Sequence, residues 1–357
     1  VRRDALVRAA APVVAVLAAA AFGSVLVLAA GGSPAATARA AWQGVLGTPD
    51  GVGAVLFNAT TLVFTGLSVA FAFRAGLFNI GAEGQLLVGA FLAALTGLAL
   101  DGLPALLVVP ACIVAAAAGG ALWGAIPGLL RARLGVHEVI NTIMMNFIAS
   151  GLTGYLTVHV FKEPGQMIPQ TSPIAAAARL PRLGALPIPG NPIPASSPAN
   201  VALLLALAAA AAAAWVLYRT PWGFEIRAIG AGERAARTAG LPVAGTVVGA
   251  MAAAGALAGL AGVNEVLGFR YRFLDNFSSG VGFLGIAVAL LGRARMSGVV
   301  AAALLFGGLS AGAVEIDLFT SVPREVVLVV QAGILLFVVA ADEVARRFLR
   351  RRSGRAA

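Results

Sequence analysis

The chain has 357 residues, 60% of them hydrophobic and only 11% charged, with a mean hydropathy of +0.93. Soluble domains carry about 25% charged residues, so an ordinary soluble enzyme is excluded. The fold class expected is all-α: a polytopic membrane protein whose apolar runs approach the ~20 residues a helix needs to cross a bilayer. The net charge of +10 comes from arginines in short loops and at both ends. That distribution orients a membrane protein and does not suggest a nucleic-acid partner.

The first apolar run, 9–30, follows the basic start VRRDALVRAA. TARA at 37–40 imitates a signal-peptidase site, but the run is longer than the usual ~7–15 residues of a signal peptide, so it reads as a retained span. Further spans are expected at 53–73, 77–100, 104–128, 139–160, 200–218, 243–267, 281–292, 297–314 and 323–341, giving ten. With both termini in the cytoplasm, 18 of the 25 Lys and Arg residues fall inside and 7 outside, as the positive-inside rule requires. Cys112, the single cysteine, sits within an apolar run and reads as a small buried hydrophobe.

Between spans 2 and 3 stands GLFNIGAEGQLLVGA, residues 76–90. Asn79 and Glu83 are spaced i, i+4 and would share a helix face, with Gln85 beside them. Polar groups at membrane depth are costly and mark cavities or helix contacts, so these three are candidates for a substrate pathway. The alternative is a boundary motif in which Glu83 answers Arg74. HEVINTIMMNFIAS, 137–150, opens span 5 and adds Asn141 and Asn146, able to bond either a substrate or another helix. Residues 161–199 form a proline-dense outer loop, a lid or docking surface on one reading and a stiff connector on the other.

Residues 220–242 form an inner loop with its own helical pattern: a short basic helix from Glu233 to Ala239, stopped by Gly240 and Pro242. Such a helix suits docking to a soluble subunit, with Glu225, Arg227, Glu233, Arg234 and Arg237 as candidate contacts. At the outer end of span 7, NEVLGFRYRFLDNFSSG (264–280) supplies Glu265, Arg270, Arg272 and Asp275, a candidate charged mouth or simply solvated loop charge. FSSGVGFLG, 277–285, interrupts spans 7 and 8 where 76–84 interrupts spans 2 and 3. Spans 2–5 and 7–10 thus have the spacing of an inverted repeat, whose glycine-broken segments point to a transport path. The chain closes on a basic tail, 342–357.

No P-loop, Cys/His metal set, HExxH, GxSxG or GxGxxG context occurs. Neither catalytic residues nor a metal site is expected. A secondary transporter would need paired acids deep in its spans, and only Glu83 is a candidate.

Four separated stretches, GLFNIGAEGQLLVGA, VHEVINTIMMNFIA, RTPWGFEIRAIGAGERAARTAGL and GFLGIAVALLGR, resemble the permease subunits of bacterial ABC importers. The family includes ribose, branched-chain amino acid and nucleoside permeases, and the first two stretches look most like its nucleoside-type members. The resemblance covers roughly 53–340. It implies a bacterial inner-membrane transport subunit working by alternating access, with 220–242 as its coupling helix. ATP and Mg would be bound by partner ATPase subunits, with no cofactor on this chain. A second permease and an extracytoplasmic substrate-binding lipoprotein would complete the assembly. A sugar or another small polar solute is the alternative cargo.

Overall fold

The computed structural model describes residues 17–187, 189–323, 325–337 and 340. The start of the expected first span and the tail 342–357 lie outside the described residues. Thirteen α-helices follow in order: α1 (Leu17–Ala29), α2 (Pro34–Trp42), α3 (Pro49–Arg74), α4 (Ala82–Ala99), α5 (Ala105–Leu134), α6 (Glu138–His159), α7 (Ala202–Arg219), α8 (Pro221–Ala231), α9 (Glu233–Thr238), α10 (Val243–Gly259), α11 (Val281–Leu291), α12 (Met296–Phe319) and α13 (Glu325–Phe337). No strand forms among the described residues; isolated pairings such as Lys162 with Thr171 are the only extended contacts there. Among the described residues, seven helices are long and apolar enough to cross a membrane, or eight if the bent pair α1–α2 counts as one crossing. α11 falls short of that length, as does the described part of α13.

Two compact units emerge, Leu56–Gly307 and a second formed by the two chain ends. In the second, Ser33 caps α2 with Pro34 at its first turn, a start that suits proline's missing N–H. The chain turns through 115° between α1 and α2, where the sequence reading expected only a loop after residue 30. Val27, Ala40, Ile316, Val322 and Val327 form its small core.

The larger unit is built on a seam between α5 and α10. Gly120, Gly124 and Gly128 recur every fourth residue on α5, facing Gly255, Gly259 and Met251 of α10. A Cβ on Gly120 would collide with the Gly255 carbonyl, and one on Gly128 would stand 2.9 Å from the Met251 side chain. Lipid tails supply no hydrophobic drive between helices, so close backbone approach at small residues is what holds such a pair. α5 carries Pro110 and Pro127 within its length, which neighbouring helices make tolerable in a membrane span.

Residues 161–199, the expected outer loop, are in part packed against neighbouring segments. Ile174, Ala178, Leu180 and Ala199 are buried. Its backbone donates to the chain before α11, from Thr171 N to Phe273 O and from Ile174 N to Tyr271 O (2.9 and 2.8 Å). Ala175 N donates to Gly97 O at the end of α4. Proline removes donors and fixes φ, so the loop's remaining N–H groups bond across to neighbouring segments instead of along a helix.

Substituting Gly120 by Val should separate α5 from α10 and lower the apparent melting temperature in detergent by several degrees, on the scale of about 1–3 kcal/mol for overpacking. Gly151→Ala on α6, where a Cβ meets nothing within 4 Å, should leave it unchanged or raised. Equal melting temperatures for both variants would remove the seam from this role.

Candidate functional site

α3 carries a polar stripe, Thr61, Thr65 and Ser68, inside an apolar span; at i, i+4 and i+7 these share one face. All three are buried. After Arg74 the chain leaves the helix and folds back beside it, so that Asn79 Nδ2 donates to Ser68 Oγ (3.0 Å) and to Gln85 Oε1 (2.9 Å). Gln85 Nε2 returns a bond to Asn79 Oδ1, which also accepts from Gly81 N (3.0 and 3.1 Å). From α6, Asn146 accepts from Gly84 N and donates to Ile80 O (2.9 and 3.0 Å). Irregular backbone survives at membrane depth only where its polar groups are satisfied by protein; Asn79 and Asn146 do that here, with Gln85 holding the Asn79 amide in place.

Asn79 therefore lies in the turn before α4 and does not share a helix face with Glu83, as the i, i+4 spacing had suggested. Asn79 and Gln85 are 0% and 1% exposed, with their amide groups held inside the protein. Asn141, by contrast, keeps a buried Nδ2 without a protein partner.

Glu83, in the first turn of α4, reaches the start of α11. Its carboxylate accepts from the Ser278 hydroxyl, from Gly280 N (3.1 Å) and from Gly282 N (2.6 Å). The free N–H groups and positive end of a helix make its N-terminus a natural seat for a carboxylate. Gly282 permits the approach, since a Cβ there would strike the Glu83 backbone.

α11 runs alongside the second half of α3 in the same direction. Gly285 faces Thr65, and the Ala294 carbonyl accepts from Arg74 Nε and Nη2 (2.9 and 2.6 Å). The 11 residues of α11 rise roughly 16 Å, so Glu83 stands about half of a ~30 Å hydrocarbon core away from Arg74. The reading of Glu83 as a boundary carboxylate answering Arg74 is thereby corrected: the guanidinium serves a carbonyl, and the carboxylate caps a half-length helix. Among the described residues, Tyr271, Asn276, Ser279, Arg293 and Ala294 are the non-glycine positions with positive φ. Tyr271 closes the π-turn Val263–Arg270 and the other four flank α11; such positions cost about 1–3 kcal/mol each.

A second buried cluster adjoins α3. Beyond Gly259 the span continues as a π-turn, Val263–Arg270. There Glu265 accepts from Thr61 Oγ1 (2.9 Å) and pairs with Arg270 Nε (3.3 Å). Asn264 donates to Thr61 Oγ1 and Phe57 O and accepts from Asn200 Nδ2 (2.8, 3.1 and 2.9 Å). Of the expected outer mouth, Glu265 is thus buried, while Arg272 pairs with Glu163 of the outer loop at 2.8 Å. The backbone of Asp275 donates to Pro169 O. The Arg272–Glu163 pair and the Asp275 backbone tie residues 161–199 to the approach to α11, where solvated loop charge had been the alternative.

At the Arg74 end lie α8 and α9. Thr220 caps α8, with Pro221 at its first turn, and α9 stops at Thr238, one residue short of the expected Glu233–Ala239 helix, with Gly240 (φ 79°) just beyond its cap residue Ala239. Gly230 of α8 packs directly on the Arg74–Gly76 turn. Glu233 pairs with Arg131 of α5 and Arg237 (3.3 and 2.9 Å), and Arg131 also pairs with Glu138 of α6 (3.3 Å). Glu225 accepts from Thr246 and Arg227 stands over the Tyr218 ring, whereas Arg234 and Arg237 are exposed.

Residues 51–339 match the family model described as the permease component of branched-chain amino acid transport systems. The chain belongs to this permease family. It is 42% identical to the guanosine ABC transporter permease protein NupP of Bacillus subtilis, over 95% of this chain and 94% of that protein. It is 36% identical to a glucose ABC transporter permease protein of Haloferax volcanii, over 93% and 87%. To the nucleoside ABC transporter permease protein NupB of Lactococcus lactis it is 35% identical, over 92% and 89%. No solved structure matches. The protein is a multi-pass permease subunit of an ABC importer in the bacterial inner membrane, and is not itself an enzyme.

Sequence reasoning missed the permease's α3 stripe, Ser278 and Asn200. The signal for the stripe was present, hydroxyls at helical spacing in an apolar run; Ser278 and Asn200 sit in loops whose partners lie far away in sequence.

Glu83→Ala should leave the Ser278 hydroxyl and two backbone N–H groups without an acceptor, at about 1–3 kcal/mol for each buried group. The expected result is a clearly lower melting temperature of the detergent-extracted permease, with Glu83→Gln in between because one acceptor oxygen remains. An unchanged melting temperature for Glu83→Ala would contradict the cap.

Proposed function

We propose that this permease moves nucleosides inward, with ATP and Mg bound by separate ATPase subunits and substrate delivered by an external binding protein. The observation that carries the mechanism is the Glu83 cap, where two broken segments meet at depth: the α3–α4 turn and the start of α11. In inverted-repeat transporters such breaks border the path. The ten-span topology with both termini inside belongs to the same proposal, as does the inverted repeat of spans 2–5 and 7–10. Support for it comes from the arginine distribution and from the two breaks occupying equivalent places.

Under this reading α8 and α9 are the coupling element. Arg234 and Arg237 offer the exposed contacts to the ATPase, and Glu225, Arg227 and Glu233 tie the element to the spans. Displacing α8 would push the Arg74–Gly76 turn, on which Gly230 rests. That turn leads within a few residues to Glu83, and Arg74 grips the far end of α11. Alternating access is then a shift of population between two arrangements of α11, whose strained flanks favour movement there. Asn79, Gln85 and Asn146 would shape the break, while Asn141, with its spare amide donor, is the pathway residue nearest to being available for substrate. Glu265, Arg270, Arg272 and Asp275 would form the outer mouth beneath the folded loop 161–199, which would serve as the seat for the binding protein.

Nucleosides are favoured because two relatives at 35–42% identity bear guanosine or nucleoside names. The 36% identical glucose permease supports a sugar as the second reading. Saturable uptake of labelled guanosine by cells expressing the complete transporter, competed by other nucleosides and not by glucose or ribose, is the expected outcome. Competition by glucose alone would reverse the assignment.

Replacing Glu233–Arg237 with a Gly/Ser linker should abolish co-purification with the ATPase while the permease remains monodisperse. Retained association would sink the docking role of α9.

A further inference from the structure

Two adjoining cavities run along α7 and the start of α12, within the larger unit. The first, of about 510 Å³, is lined by Arg74, Ala214, Tyr218, Arg295, Met296 and Ser297. The second, of about 340 Å³, shares Ala214, Met296 and Ser297 and continues past Ala210 and Ala211 to Leu207 and Val300. One end is therefore cationic and hydroxyl-bearing, and the rest is apolar. From Tyr218 to Leu207 the groove follows α7 for roughly 16 Å of helix rise, about one leaflet of a ~30 Å hydrocarbon core.

Among the described residues, no carboxylate supplies counter-charge to the cationic end. Arg74 is occupied by a neutral carbonyl, that of Ala294, and stands 5.9 Å from the Tyr218 ring. Arg227 stacks 5.5 Å from the Tyr218 ring and keeps Nη1 buried without a partner. None of the described carboxylates pairs with Arg74, Arg227 or Arg295. Arg74 and Arg227 stand over the Tyr218 ring and Arg295 lines the same cavity. A cationic end without a described carboxylate partner thus closes a monolayer-deep apolar groove and matches a ligand with an anionic head and a hydrocarbon tail. Basic pockets between spans at head-group depth are where anionic lipids bind.

We infer that this groove is a binding site for an anionic diacyl phospholipid, its phosphate at Arg74, Arg295 and Ser297 and one acyl chain along α7. The apolar length selects a lipid over a free phosphate, which would use only the cationic end. It also places the lipid against Arg74, the residue that holds the end of α11.

The test is native mass spectrometry of the detergent-extracted transporter, with its partner subunits, titrated with phosphatidylglycerol or phosphatidylcholine. Phosphatidylglycerol should be retained at least tenfold better. Arg295→Ala should lose at least fivefold of that retention and Arg295→Lys should keep most of it. Ala214→Phe, which fills the groove, should lose retention with the arginines intact. Glycerol phosphate, the head without tails, should not displace the lipid. The proposal fails if both lipids bind equally, if Arg295→Ala binds like the parent, or if glycerol phosphate competes at similar concentration. It fails equally if the lipid binds the isolated chain and is absent from the assembly, since a partner protein would then cover the groove. The Arg295 pair decides the matter even if Ala214→Phe does not fold.

Discussion

One carboxylate holds the two broken segments of this permease together. Glu83 leaves the first turn of α4 and takes up the Ser278 hydroxyl and the free N–H groups at the start of α11. Without it, a helix N-terminus would end in low-dielectric surroundings with its donors unmet, which is costly in a bilayer. The interaction is reciprocal: the N-terminal dipole of α11 is also what makes a carboxylate tolerable at that depth. Because α11 is too short to cross the membrane, its position depends on this bond at one end and on Arg74 at the other.

The surrounding polar residues follow the same economy. Asn79 and Gln85 bond each other, Asn79 and Asn146 bond the backbone of the α3–α4 break, and the α3 hydroxyls reach both this network and the Asn264–Glu265 cluster. A polar side chain inside a greasy chain is therefore, at most of these positions, the partner of an irregular stretch of backbone. The glycine seam of α5 and α10 supplies the opposite element, a rigid pair packed backbone to backbone. Rigid seam and strained, capped half-helix divide the larger unit into a part that holds shape and a part able to change it.

Helices α8 and α9 meet that second part through contact and charge. Gly230 rests on the Arg74–Gly76 turn, and Arg131 links Glu233 of α9 to Glu138 at the start of α6. α6 in turn supplies Asn146 to the break. In the proposed cycle a push on α8 has two short physical routes to Glu83, and both pass through groups already engaged rather than across open space.

Apolar run length and scarce charge were sufficient to establish a polytopic helical protein, because crossing hydrocarbon demands long uncharged helices whatever their neighbours. The span limits at 53–73, 139–160 and 200–218 fall within a few residues of α3, α6 and α7 for that reason, and the stop at Gly240 followed from local backbone chemistry. The quoted stretch 76–90 announced itself as a family marker and as a break in the helices. Which atoms it served was a matter of long-range contact: Glu83 meets residues near 280, and Arg74 meets Ala294. Two charges nine residues apart suggested a local pair. Only the folded chain, by laying α11 beside α3, placed them about half a hydrocarbon core apart and gave each a different partner.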